Sequence, residues 1–98
     1  MEILGILWSD DVIDKLARLH TVADDEVEEV FLNAPDFRHA AKGDRPGEDL
    51  YYALGQTDAG RYLFVVFIYK RSRRALIVTA REMTEHEKGG YRRRKRYG

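Results

Sequence analysis

Apolar and polar residues follow three rhythms along this chain. The first stretch, Ile3, Leu4, Ile6, Leu7 and Trp8, is a short apolar run broken by Gly5, and it predicts a brief strand. Ser9 then reads as an N-cap, with Asp10 and Asp11 where a helix dipole favours carboxylates. Val12, Ile13, Leu16 and Leu19 recur at helical spacing and predict a first helix ending near His20. Thr21 to Asp24 offers a second start, after which Ala23, Val27, Val30 and Phe31 line one side of a second helix. The other side carries Asp25, Glu26, Glu28 and Glu29, a face for water or for a cationic partner.

From Asn33 to Gly47 the pattern is polar and punctuated by Pro35, Gly43, Pro46 and Gly47, which predicts a long loop. Three strand-like segments follow. Asp49–Thr57 alternates around Tyr51 and Tyr52, and Asp58-Ala59-Gly60 marks a turn. Arg61–Lys70 holds the apolar run YLFVVFIY, expected of a mid-sheet strand buried on both faces. Arg71-Ser72-Arg73 makes a tight basic turn into Arg74–Arg81. Such short links make consecutive strands antiparallel neighbours. Thr84 and Glu87 match a capping box and start a last helix, which Gly89 and Gly90 are expected to weaken or end early. The order strand-helix-helix-strand-strand-strand-helix predicts an α+β fold of two layers, helices over an antiparallel sheet.

Charge changes this picture. Residues 1–60 carry fourteen acidic and five basic side chains, and residues 61–98 carry three and twelve, so a formal net charge of zero hides halves at −9 and +9. A chain divided in this way has one face for a polyanion and another for something basic. The tail, residues 92–98, sets Arg92, Arg93, Arg94, Lys95 and Arg96 between Tyr91 and Tyr97. Arginine pairs with phosphate through two bonds and stacks on bases, so this composition fits RNA, while a solvated tail at a helix C-terminus is the plain alternative.

Ninety-eight residues make a single domain, 1–98. The absence of cysteine excludes disulfides, thiolate metal sites and a cysteine nucleophile. MEILGILW lacks the basic flank of a signal peptide, and no apolar run approaches the roughly 20 residues of a membrane span, so a cytoplasmic location without membrane attachment is expected.

His20, His39 and His86 are scattered, which argues against a metal site, and no nucleophile elbow, P-loop or dinucleotide fingerprint occurs. Phosphodiester chemistry without metal or cofactor survives these exclusions. An RNA 2′-hydroxyl can attack its own phosphate if a base takes its proton, cations neutralise the phosphoryl oxygens and an acid protonates the leaving oxygen. Arg61 and Arg81, at the outer ends of adjacent antiparallel strands, are expected to flank one sheet edge, with Tyr91 swung toward them by the last helix. Lys70, Arg74, Arg92 and Arg93 are candidate phosphate contacts, and Tyr52 a stacking platform. Arginines at strand ends also occur as plain solvated groups.

The chain resembles the BrnT family of type II toxin–antitoxin systems. The residues that carry the likeness are Trp8 and Asp10, His20, the EVEEVF segment with Glu28, Val30 and Phe31, Gly55 with Gly60-Arg61, and Thr79-Ala80-Arg81 followed by Glu87 and Tyr91. It departs from the family where Leu19-His20-Thr21-Val22 replaces Lys-His-Gly-Val, and where Val78-Thr79-Ala80-Arg81 replaces Ile-Ser-Ala-Arg. The resemblance implies a RelE-like fold and an endoribonuclease toxin that cuts mRNA, on the ribosome or off it, and so inhibits translation. It also implies a ribbon–helix–helix antitoxin that dimerises to give a heterotetramer. On that reading Arg61 and Arg81 hold the scissile phosphate, Tyr91 donates a proton or stacks on a base, and Glu48 or His20 accepts the proton. The rival reading is a non-catalytic RNA- or ribosome-binding module on the same fold. A third is a protein-interaction domain with no RNA affinity.

Overall fold

The computed structural model describes residues 1–97; Gly98, the end of the expected tail, lies outside them. The elements run β1 (Gly5–Leu7), α1 (Val12–His20), α2 (Asp24–Leu32), β2 (Asp36–Ala41), β3 (Leu50–Gln56), β4 (Tyr62–Tyr69), β5 (Arg74–Glu82) and α3 (Glu85–Tyr97). One five-stranded sheet has the order β1-β5-β4-β3-β2. The α+β class and the meander of the last three strands agree with the sequence reading.

Several expectations are corrected. The sheet is mixed, because β1 lies parallel to β5 through the pairs Gly5–Arg74, Ile6–Ala75 and Leu7–Leu76. The segment read as loop contains β2, paired antiparallel with β3. Its sequence DFRHAA is polar because β2 is an edge strand, where charge blunts pairing with other chains. The run YLFVVFIY is not buried equally on both faces: Leu63, Val65 and Phe67 are fully buried, and the residues between them half-buried. Finally, Gly89 and Gly90 do not end α3, which continues to Tyr97.

One face of the sheet is covered by α1 and α2. Leu16, Val22, Val27 and Val30 pack there on Leu63, Val65, Phe67, Ala75 and Ile77. Each large aliphatic side chain fully buried in this layer contributes about 1.5–3 kcal/mol. The start of α2 is held by Glu26, whose Oε1 accepts the Ala23 N–H at 3.0 Å. The expected Ser9 cap moves: α1 begins at Val12 after Asp11, and Ser9 instead offers its carbonyl to the Val12 N–H.

The opposite face is covered only at one end, by α3, so the expected two layers become three there, with helices on both faces of the sheet. Tyr91 and Met83 pack on Leu54 there, with Tyr52, Tyr62 and Phe64 beside them. Thr84 and Glu87 form the expected capping box, with Thr84 N donating to Glu87 Oε1 at 2.8 Å and Glu87 N to Thr84 Oγ1 at 3.2 Å. The C-terminal half of α3 is tied back as well. Arg94 pairs with Asp36 of β2 at 3.1 Å, and Lys95 donates to the Ala34 carbonyl. Tethers at both ends and the buried Tyr91 let the helix run through two glycines, since tertiary packing outweighs local propensity.

Candidate nucleic-acid interface

Because α3 covers only part of its face, a cleft of about 810 Å³ remains between it and the sheet. Strand alternation supplies the floor. Arg38, Tyr52, Leu54, Phe64 and Arg81 project to this side from β2 to β5, and His86, Glu87, Gly90, Arg93 and Arg94 of α3 form the wall. The absent side chain at Gly90 helps keep that wall open.

Arg81 lies at the centre of this arrangement. Its guanidinium stands 4.3 Å from the centroid of the Phe64 ring. Its Nη1 donates to Glu87 Oε1 at 2.8 Å and its Nη2 to Glu87 Oε2 at 3.0 Å. That fork, with the Thr84 N–H, pulls the Glu87 carboxyl down to about 2 from an ordinary value near 4.5. Glu87 is therefore an anion at any physiological pH and a poor proton acceptor. Reciprocally, Glu87 holds the Arg81 charge more firmly still.

Three further arginines surround the pair. Arg38 donates to Asp36 Oδ2 from both Nε and Nη2 at 3.2 Å, and Arg94 shares the same carboxylate. Arg93 makes no ion pair among the described residues. Tyr52 and Phe64 lie with ring centroids 4.6 Å apart, forming an aromatic floor. His86 is exposed on the rim and is the histidine α3 contributes to the cleft. Permanent cations, an aromatic surface and an imidazole together can neutralise a phosphodiester, hold a base and move a proton.

The structure separates several residues that the sequence placed together. Arg61 and Arg81 do not share a site. Glu82 pairs with Leu63 and Arg81 with Phe64, so Arg81 faces the cleft while Arg61, two residues before Leu63, faces the helical layer. There Arg61 donates to Glu82 Oε1 at 2.9 Å, to Glu26 Oε1 at 2.9 Å and to the Thr21 carbonyl at 2.6 Å. Those carboxylates raise its pKa. Arg61 thus clasps the α1–α2 junction to the sheet.

Tyr91 is buried, only 4 % exposed, in the small core under α3. Burial foremost, with Tyr62 and Asp36 nearby, raises its pKa. Its exposure is too small for base stacking. His20 is exposed at the end of α1, and Glu48 lies in the β2–β3 connection; neither lines the cleft.

Of the expected phosphate contacts, Arg93 lines the cleft, as Tyr52 does. Arg92 lies outside it, 5.0 Å from the Tyr62 ring centroid. Lys70 and Arg74 share the cleft's face by alternation, but at the far end of the strands, roughly 23 Å away at about 3.3 Å per residue. The sequence reading missed Arg38, Phe64 and His86. Phe64 was legible from alternation within YLFVVFIY, and His86 from its place in the first turn after the capping Thr84. Arg38 had no signal while β2 read as loop.

A model of the family described as the ribonuclease toxin BrnT of type II toxin–antitoxin systems matches residues 8–87. The crystal structure of the Brucella abortus ribonuclease toxin BrnT superposes with a TM-score of 0.64, at 18% sequence identity. The match covers 83% of this chain and 97% of that one. No curated protein sequence matches.

Proposed function

Because the chain belongs to the BrnT family of ribonuclease toxins of type II toxin–antitoxin systems, we propose that the α3 cleft is its RNA-cleaving site. The single observation that carries this reading is the convergence of Arg81, Arg38, Arg93 and Arg94 on one cleft floored by Tyr52 and Phe64. The chemistry is RelE-like and needs no metal. The 2′-oxygen of the RNA attacks the adjoining phosphorus, the bond to the 5′-oxygen breaks, and a 2′,3′-cyclic phosphate and a 5′-hydroxyl result. Arg81 neutralises the phosphoryl oxygens, with Glu87 as the positioning residue that aims it. His86 exchanges a proton with one reacting oxygen, and solvent serves the other. A base rests on Tyr52, and Arg93 holds the neighbouring phosphate. Arg61 serves the fold, and Glu48, His20 and Tyr91 take no part in the proton transfers. The substrate is mRNA in the cytoplasm, so that cleavage stops translation.

A non-catalytic RNA-binding module is favoured by one observation, that Glu87 already fills the two-pronged face of Arg81. Incubating the purified chain with a transcript in EDTA separates the two. Cutting by wild type, reduced at least 100-fold in Arg81→Ala with RNA binding retained, supports the ribonuclease. Binding without cutting, or cutting unaffected by the substitution, removes this assignment. The antitoxin is read as a ribbon–helix–helix dimer carrying two toxins, which the mass of the co-purified complex tests directly.

A further inference from the structure

The side of the sheet remote from the cleft carries an apolar groove at its β1 edge. Among the described residues, β1 closes one end of the sheet and pairs only with β5, leaving its outer edge without a partner strand. Beside it, Ile3, Leu4, Ile6, Phe31 and Leu32 line a groove of about 380 Å³ between β1 and α2. Leu32 is 83% exposed, Leu4 62% and Met1 51%. Two large apolar side chains this open on one groove, Leu4 and Leu32, are a marker of a protein-binding surface.

The surroundings of the groove indicate what covers it. The wall formed by α2 carries Asp24, Asp25, Glu26, Glu28 and Glu29 and no basic side chain. Glu28 lines the groove itself, and Asp25 is exposed on the same helix. A fitting occupant is therefore cationic as well as apolar. A second copy of this chain fits poorly. Its cationic segment, Arg92–Arg96, offers no apolar side chain, and the one large apolar residue exposed in its basic half among the described residues is Val78.

We propose that the β1–α2 groove seats a cationic, amphipathic segment of the antitoxin, with two apolar side chains filling the groove and lysines or arginines meeting the acidic rim. This inference rests on the family membership and not on the location of the RNA site. It places the anchor of the antitoxin on the opposite side of the sheet from the arginine cleft. Masking of RNA then requires a second part of the antitoxin to reach around the molecule.

The test is the affinity of the full chain for the full-length antitoxin of its own system, measured by calorimetry. Leu4→Lys with Leu32→Lys is the variant, since both side chains are exposed and their loss leaves the core intact. A weakening of at least tenfold, with an unchanged thermal melt, is expected. Wild-type binding should also weaken as NaCl rises. Unchanged affinity of the variant overturns the proposal. A wild-type chain that dimerises alone and turns monomeric on these substitutions overturns it too, giving the groove to a second copy. Absence of RNA cleavage by wild type would sink the ribonuclease reading and leave this binding test intact.

Discussion

Arg81 of β5 and Glu87 of α3 form a two-pronged ion pair, at 2.8 and 3.0 Å, that ties the cleft's central cation to the first turn of the helix roofing it. The same Glu87 caps that turn through Thr84. One carboxylate therefore sets both the direction of the guanidinium and the start of α3. A change in either residue is felt in structure and chemistry together, since each is the other's partner.

Arg81→Ala should lower the rate of RNA cleavage by about 10²–10³ under single-turnover conditions, the usual effect of losing one stabiliser of developing charge. Arg81→Lys should recover little, because a point charge cannot reproduce the fork. A substituted protein cutting as fast as wild type would place the phosphate elsewhere.

Stability should depend on Glu87 in acid. Its folded-state pKa lies below its unfolded value, so its contribution is fully present above about pH 4.5 and is lost as pH falls toward about 2. Denaturant melts across that window should show the loss in wild type and a flatter profile in Glu87→Gln. Equal slopes in the two proteins would deny the linkage.

Arg61→Ala should differ from Arg81→Ala in leaving cleavage intact. It breaks bonds to Glu82, Glu26 and the Thr21 carbonyl; a bond to a charged group contributes about 1.5–3 kcal/mol, and the exposed Glu82 partner adds little to that. A drop of roughly 2–3 kcal/mol in stability is expected, with the cleavage rate of the folded fraction nearly unchanged. A stable Arg61→Ala protein that fails to cut would return Arg61 to the catalytic machinery.

Thr21 sits in the left-handed region, at φ 55 and ψ 41, as the C-cap of α1. Its β-branched side chain is poorly suited to that conformation, and the family resemblance places glycine there. Thr21→Gly should raise stability by about 1 kcal/mol, read as a higher melting temperature. No gain would mean that the Arg61 bond to the Thr21 carbonyl already offsets the strain.

Tyr52→Ala should weaken single-stranded RNA binding by about 1–3 kcal/mol, and Tyr52→Phe should preserve it, because stacking needs the ring and not the hydroxyl. Equal binding by all three proteins would remove Tyr52 from the path of the RNA.

The order of elements was largely legible in sequence because local signals fix it. Helical spacing in residues 12–19 and 23–31, the Asp58–Gly60 turn and the Thr84–Glu87 capping box all act within a few residues, and each appears where expected apart from small shifts at the caps. β2 escaped because an edge strand needs few apolar side chains, so DFRHAA has no hydrophobic signature to detect. The parallel pairing of β1 with β5 escaped for another reason: partners some seventy residues apart leave no mark on either local sequence.

The sequence by itself determined that this chain has an acidic half and a basic half, an α+β order of elements and arginines at the ends of its central strands. It could not determine which arginines meet. Neighbouring strands bring Arg61 and Arg81 to the same end of the sheet, but a side chain's face depends on register, and a shift of one residue reverses it. Only the tertiary structure sets Arg81 opposite Phe64 and under α3, and Arg61 on the side of Leu63 against Glu26. The cleft exists because a helix held by Glu87 at one end and Arg94 at the other spans part of a face that local sequence patterns leave undefined.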